Sequence, residues 1–558
     1  MSLVKDAWRL AKDFFFDKEQ RFKANSLLIG AILLDLVMVY IDVRFNQWHA
    51  GFYNSLQNLD KAAFYNSLLA FAVISFTYIT FFICKFATKQ KLIILWRQWL
   101  SEQYLAHWVK KDAYYRLHCA KDYSDNPDQR ISEDIKLFVE SSILLTLGLL
   151  SAIITLISFI TILWSLSGIL KFALFGRAVT IHGYLVWVVL IYAFVGTYIT
   201  YKIGRNLSLL DYLQEKKEAN FRFSLMRLRE NSESIALYSG DRFEFKVFKR
   251  AFSQIVENFN NLIKINVKLG TWQSFYGQIA IIFPILVCSS RLFAKEITLG
   301  TLMQIGSAFG KVKESLSFLI MSFNDIATYR AVIKRLTEFN NAIDMCEREA
   351  GNNPIKISQH SSANLLLKNL TICSPEWAIL QNNLNLEFVQ GQSYLITGNN
   401  GCGKSTLIKA IRGLWLYGEG EILLPEQQKI FYLPQKIYMP SGTLLEAIYY
   451  PADTTVDVEI VKTLMNKAGI GYLNERLLNE ENWSVALSLG EQQKISILRS
   501  ILARPNIIIM DEATSAITES DEQRIFGLLK EELSNITLIS VGHRATLRQF
   551  HNHEIKLS

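Results

Sequence analysis

Two textures alternate along the first 325 residues: apolar runs, and polar stretches between them with few Gly or Pro. A run of about 20 mostly apolar residues predicts a helix that crosses a bilayer. Such runs fall at Ser26–Ile41, Phe64–Cys84, Ser141–Leu166, Leu185–Ile203, Tyr276–Phe293 and Leu299–Phe323. The first carries Asp35, and the sixth is interrupted by Lys311, Lys313 and Glu314. The polar stretches 85–138 and 204–270 keep a helical pattern and extend the spans, at about 1.5 Å per residue. Residues 1–24, with Trp8, Phe14, Phe15 and Phe16, read as an amphipathic helix lying on the membrane. They are too acidic for a signal peptide, and no small-residue cleavage site follows. After about residue 360 short apolar runs alternate with helical ones, as in an α/β domain. The predicted order is a surface helix (1–24), a six-span α-helical membrane domain (25–325), a linker (326–360) and an α/β domain (361–558). The clearest break in the linker is Gly351-Asn352-Asn353-Pro354.

Basic residues orient the spans. Ten Lys and Arg lie from Lys85 to Lys136, against only Lys171 and Arg177 between Ser167 and Tyr184. The positive-inside rule places the long polar stretches, and with them residues 350–558, in the cytoplasm. Half the residues are hydrophobic and a fifth are charged, which fits a chain with a large membrane portion. The net charge of +8 sits beside apolar runs rather than on an aromatic-studded face, so no nucleic-acid partner is expected. The six cysteines show no paired spacing and read as free thiols. His107, His118, His551 and His553 show no metal-ligand pattern and read as surface groups.

The α/β domain holds a complete phosphate-binding pattern, G-x-x-x-x-G-K-[ST], in Gly398, Asn399, Asn400, Gly401, Cys402, Gly403, Lys404, Ser405 and Thr406. A buried strand precedes it and a helix follows. Backbone N–H groups of such a loop curl round a β-phosphate, and the helix adds its positive end. Lys404 reaches the β- and γ-phosphates, and Ser405 can ligate Mg²⁺. The strand Ile507–Met510 ends in Asp511, a second Mg²⁺ ligand, and Glu512, a general base for the attacking water. Gln435 follows another strand, at the end where nucleotides bind in such sheets, and is a candidate for both the metal and the catalytic set. His543 follows the strand Ile536–Val541 and is placed for the γ-phosphate. Leu487, Ser488, Leu489, Gly490 and Glu491 open a helix whose N-terminus suits a phosphate.

The order of these motifs resembles the ATP-binding cassette (ABC) ATPases: Walker A, Q-loop, signature, Walker B and H-loop. The resemblance implies that the signature Leu487–Glu491 closes in trans over ATP held by a partner. One cassette per chain then implies a homodimer with ATP and Mg²⁺ as cofactors. In the membrane half, Trp96-Arg97-Gln98-Trp99-Leu100, Asp125 to Ile131, Glu133-Asp134 and Asn231 to Ala236 resemble the bacterial SbmA/BacA-like transporters, related to the subfamily D (peroxisomal and lysosomal) transporters. That resemblance implies exporter-type spans. It also implies that the segments 125–134 and 231–240, with Asp128, Gln129, Glu133, Asp134 and Glu233, couple membrane helices to the cassettes. Trp377 is the candidate for stacking on adenine.

The chain departs from the cassette pattern after Glu512. Where Ser-Ala-Leu-Asp is usual it has Ser515-Ala516-Ile517-Thr518, losing an aspartate that couples the two sites. Slower or less cooperative hydrolysis is expected. Cys402 should make the ATP site thiol-reactive. With 15 residues after His543, no further regulatory domain is expected. The resemblance points to a half-transporter in a bacterial inner membrane, surrounded by lipid. It moves a bulky hydrophilic solute, cobalamin- or peptide-like, with import favoured over export. The alternatives are long-chain acyl or lipid transport and an ATP-gated channel.

Overall fold

The apolar runs fold into helices much longer than the runs themselves. A computed structural model describes residues 2–119, 126–174, 177–426, 428–452 and 457–558, so Asp125 of the coupling segment lies outside it. The chain forms two compact units. One comprises Met1–Lys110 and Asp122–Ala342, the other Lys111–Lys121 and Ile343–Ser558.

The first unit is helical: α1 (Ser2–Phe16), α2 (Arg21–Gln57), α3 (Lys61–Val109), α4 (Ile135–Ser167), α5 (Tyr184–Gly204), α6 (Leu207–Glu230), α7 (Asp241–Phe293), α8 (Leu299–Met321) and the start of α9 (Phe323–Gly351). An antiparallel ribbon, Ile169–Leu174 with Arg177–His182, joins α4 to α5. Among the described residues five helical stretches are long and apolar enough to cross a membrane: Arg21–Gln57, Lys61–Cys119, Pro127–Ser167, Tyr184–Glu230 and Asp241–Phe293. The sixth expected span, α8, is outside that set because of Lys311, Lys313 and Glu314. It nevertheless runs unbroken, and Leu302, Ile305, Phe309 and Val312 bury one face in a core with Phe159 and Leu163 of α4, Leu185 and Val189 of α5 and Cys288 of α7. Among the described residues α8 thus packs with the spanning helices, its charges outside that core.

The expected surface helix is shorter and less free than its sequence implies. It ends at Phe16, and α2 begins at Arg21. Phe14 is fully buried and stacks on Trp96 of α3, with centroids 5.6 Å apart. Trp8 and Phe16 remain exposed. The expected linker is mostly helix: α9 stops at Gly351, and Asn353 Oδ1 accepts a hydrogen bond from the Ile355 N–H at 3.0 Å to start the next strand.

The second unit has two sheets, from strands β1 (Ile355–His360), β2 (Leu365–Cys373), β3 (Ile379–Phe388), β4 (Ser393–Gly398), β5 (Gly418–Pro425), β6 (Ile430–Leu433), β7 (Ile507–Asp511), β8 (Thr537–Val541) and β9 (His553–Leu557). The main sheet is parallel, in the order β9-β4-β8-β7-β6. The smaller one has the order β1-β5-β2-β3 and is mostly antiparallel. Both faces of the main sheet are covered, so β7 and β8 are apolar and buried nearly throughout, as parallel strands require. The helices that matter for the site are α10 (Lys404–Ile411), α11 (Leu489–Ala503) and α12 (Glu519–Glu532).

Candidate functional site

The phosphate-binding loop joins β4 to α10 at the carboxyl edge of the main sheet, where ligands of such sheets bind. Gly401 and Gly403 adopt φ of +85° and +96°, a region glycine enters without strain. A Cβ at Gly403 would also press on Leu380 at 3.2 Å. Lys404 is buried, and its ammonium donates to the carbonyls of Gly398 (2.9 Å) and Asn399 (2.8 Å), which holds it across the loop. The Cys402 carbonyl accepts from Gln381 Nε2 at 2.7 Å. Gln381, on β3, ties the smaller sheet to the loop. Sequence reasoning passed over it because a lone Gln in a strand carries no local signal.

Strand β7 brings its two acids to the same edge. Ser405 Oγ donates to Asp511 Oδ1 at 3.0 Å, so two of the three predicted metal ligands stand together, while the third, Gln435, bonds Glu512. Burial pushes the Asp511 carboxyl above the ordinary range, against the Ser405 hydrogen bond. A hydroxyl beside a carboxylate, with few other protein ligands, is an oxygen donor set that fits Mg²⁺. The ion would supply positive charge at the phosphate oxygens. Glu512 has φ of +49°, and its N–H donates to the Val541 carbonyl at 3.0 Å. That left-handed turn re-aims the side chain after the strand, and strain of this kind recurs at functional sites. Gln435 Nε2 donates to Glu512 Oε2 at 2.8 Å, and His543 Nε2 lies 3.9 Å from Glu512 Oε1. The three predicted catalytic residues therefore meet, and can orient a water between them.

The signature residues form a separate group. Ser488 caps α11 in a capping box: its Oγ donates to Glu491 Oε2 at 2.6 Å, and it accepts from the Glu491 N–H at 3.4 Å. Leu487 is buried, while Leu489 is exposed. Among the described residues no hydrogen bond joins Ser488 to the phosphate loop. A Cβ on Gly490 would come within 3.0 Å of the Ala516 carbonyl, so the signature packs closely on the loop after Glu512. Two residues that sequence reasoning missed fix that loop. Gln493, fully buried, donates to Ser515 Oγ (3.1 Å) and accepts from the Ala516 N–H (2.8 Å). Arg544, next to His543, donates to the carbonyls of Ile517 (2.6 Å) and Ser515. The unusual Thr518 is the N-cap of α12 and accepts from the Asp521 N–H at 3.4 Å. Trp377 sits in a turn at φ of +62°, exposed, with its ring edge-on to Tyr417.

Of the coupling candidates, Asp134 is buried among Arg130 and Arg335 of its own unit. Gln129 donates to Glu133 at 3.0 Å, Asp128 lies in the short helix Pro127–Gln129, and Glu233 is exposed on the helix Ser232–Leu237. A segment not singled out from sequence belongs to the nucleotide unit. Arg116, in the helix Ala113–Cys119, donates to the Gly413 carbonyl at 2.9 Å, and Asp112 lies 3.9 Å from Arg412. Within the nucleotide unit the helix Ala113–Cys119 thus packs on the end of the phosphate-loop helix. The six cysteines are all free, as expected. His551, expected at the surface, instead bonds Ser540 and the Leu547 carbonyl, and burial lowers its pKa.

Comparisons with known proteins agree with this geometry. Residues 14–293 match the family described as ABC transporter transmembrane region 2, and residues 381–515 match the ABC transporter family. An uncharacterised ABC transporter ATP-binding protein of Haemophilus influenzae is 34% identical over 99% of this chain and 92% of its own. The chloroplastic ABC transporter D family member 2 of Arabidopsis thaliana is 31% identical, covering 100% of this chain and 86% of its own. The human lysosomal cobalamin transporter ABCD4 is 27% identical over 84% and 80%. A bacterial Atm1-family ABC exporter with ATP bound shares the fold, with a TM-score of 0.74 over 96% of this chain and 93% of that one, at 18% identity. The chain belongs to the ABC transporters of the subfamily D type, a transmembrane region fused to an ATPase that hydrolyses ATP to drive transport.

Proposed function

We propose that this transporter moves a bulky hydrophilic solute, cobalamin- or peptide-like, inward across a bacterial inner membrane, as a homodimer using ATP and Mg²⁺. The observation that carries the hydrophilic cargo is a cavity of about 400 Å³ in the helical unit, lined by Asp35, Asp42, Glu314, Lys85, Lys89 and Lys311. Of these, Asp35, Lys311 and Glu314 fall within the predicted spans, where charges of both signs are costly and mark solute paths rather than lipid-facing surface. Glu512 acts as general base, with Gln435 and His543 orienting the water, Ser405 and Asp511 holding the metal, and Lys404 bridging the phosphates. Trp377 stacks on adenine, and Ser488 and Gly490 close over the partner's ATP. The chain's single set of nucleotide motifs, with Ser488 outside the phosphate-loop group, supports the dimer. The cobalamin transporter among its relatives supports a large polar cargo. The Lys and Arg distribution supports a cytoplasmic ATPase. Transport by proteoliposomes tests the reading: ATP-dependent movement of labelled cobalamin supports it, and ATP-dependent movement restricted to acyl lipids overturns it.

A further inference from the structure

Helix α2 carries Asp35 and Asp42 seven residues apart, nearly two turns, so they share one face about 10.5 Å apart. Each meets a lysine from a different helix. Lys85 of α3 pairs with Asp35, and Lys311 Nζ of α8 lies 2.8 Å from Asp42. Both pairs open on the same cavity, into which Lys89 and Glu314 also face. Asp35 is 1% exposed, and the Lys85 ammonium is its charge partner.

These charges are poorly explained as supports of the fold. A buried ion pair roughly breaks even against apolar residues of similar volume. A bundle of apolar helices gains little from three acids and three lysines around one space. The set is also balanced. Two of the acids already pair with two of the lysines, so a purely cationic or anionic ligand would have to open a pair and leave one of its members without a partner. A ligand with an ammonium at one end and an anionic group at the other offers a counter-charge to both signs.

We propose that the cavity binds a small zwitterionic solute whose two charged ends, about 10 Å apart, share the Asp35–Lys85 and Asp42–Lys311 pairs. The spacing of the two pairs along α2 sets the preferred length. The inference rests on the hydrophilic-cargo reading and narrows it to a ligand class. A volume of about 400 Å³ is at the lower end of small-molecule pockets, so each protomer would hold a compact solute or one end of a larger one. A lipid headgroup offers the same chemistry as a free solute, and the test separates them.

The full-length transporter in phosphatidylglycerol nanodiscs is titrated, without ATP, with ω-amino acids from aminobutyrate to aminodecanoate, and binding is read as thermal stabilisation. Affinity should peak at intermediate length, near aminooctanoate, and should vanish for the N-acetyl and methyl ester derivatives. The neutral double variant Asp42→Asn with Lys311→Gln should weaken binding at least about tenfold. The charge swap Asp42→Lys with Lys311→Asp should retain it, since each level of the cavity still offers both signs. Binding without a length optimum, equal binding of the N-acetyl form, or full affinity in the neutral double would overturn the proposal. So would loss of ω-amino acid binding in phosphatidylethanolamine nanodiscs, which would make a headgroup the occupant. The same preparation separates this proposal from the transport reading. Length-dependent binding without ATP-driven movement of any hydrophilic solute upholds the site and sinks the transport reading. Cobalamin transport without ω-amino acid binding does the reverse.

Discussion

Gln435 donates a hydrogen bond from Nε2 to Oε2 of Glu512 at 2.8 Å, and so ties the segment after β6 to the acid after β7. Two adjacent strands thereby hold one carboxylate at the sheet edge, with His543 on its other oxygen. Replacing Glu512 with Gln should keep ATP binding and lower turnover roughly a hundredfold or more, the scale of general-base catalysis. Gln435→Ala should lower kcat roughly fivefold, the worth of about 1 kcal/mol of positioning, with ATP affinity little changed. Steady-state hydrolysis paired with nucleotide binding reads both. Normal turnover in Glu512→Gln would refute the base assignment.

The half-buried carboxyl of Asp511 has a definite sign in its effect on stability. Its pKa is raised, chiefly by burial, so the fold disfavours the charged form. Above the folded pKa the ionised group therefore costs stability, and the cost fades as pH falls and the carboxyl is protonated. Asp511→Asn should raise the melting temperature of the nucleotide-free protein at pH 7 while abolishing hydrolysis. A lower melting temperature at neutral pH would show that the Ser405 hydrogen bond, rather than burial, governs the site.

Cys402 lies inside the phosphate loop with a partly exposed thiol, and its carbonyl is held by Gln381. N-ethylmaleimide should inhibit hydrolysis, and bound ATP should protect. Cys402→Ala should be insensitive. Unchanged hydrolysis by the fully labelled wild-type protein would contradict the placement.

Thr518 keeps the cap of α12 although it replaces the expected aspartate. Thr518→Ala should cost about 1 kcal/mol, a typical loss on removing such a cap. Thr518→Asp should leave stability nearly unchanged, since aspartate caps as well, and should raise the cooperativity of hydrolysis between the two sites. A scan of melting temperature with Hill analysis of ATP dependence separates capping from coupling.

What was legible in the sequence was local. The phosphate loop, the acids after β7, Gln435 and His543 could be placed because each sits a fixed few residues from a strand end. The parallel sheet then brings those ends together. Helix positions were legible where apolar runs were pure, and least so for α2, with Asp35, and α8, whose Lys311 and Glu314 face a cavity that no single-helix pattern reveals. The long extensions α3 and α7 were legible from the scarcity of Gly and Pro. Gln381, Gln493 and Arg544 were not legible, since each acts across 21 to 29 residues through a contact that only the fold creates. Phe14 looked like a membrane anchor because an aromatic on a short amphipathic helix has the same pattern whether it meets lipid or Trp96. Likewise the burial of Asp134 with Arg335 depends on α9, some 200 residues away.

Transport in proteoliposomes, with ATP supplied outside, tests the central claim most directly. Only molecules with outward-facing ATPase units then respond, and the lumen stands for the cell exterior. Vesicles preloaded with labelled cobalamin or a proline-rich peptide should lose their cargo when ATP is added, and vesicles carrying Glu512→Gln should not. ATP-dependent accumulation in the lumen would make the protein an exporter and contradict the account.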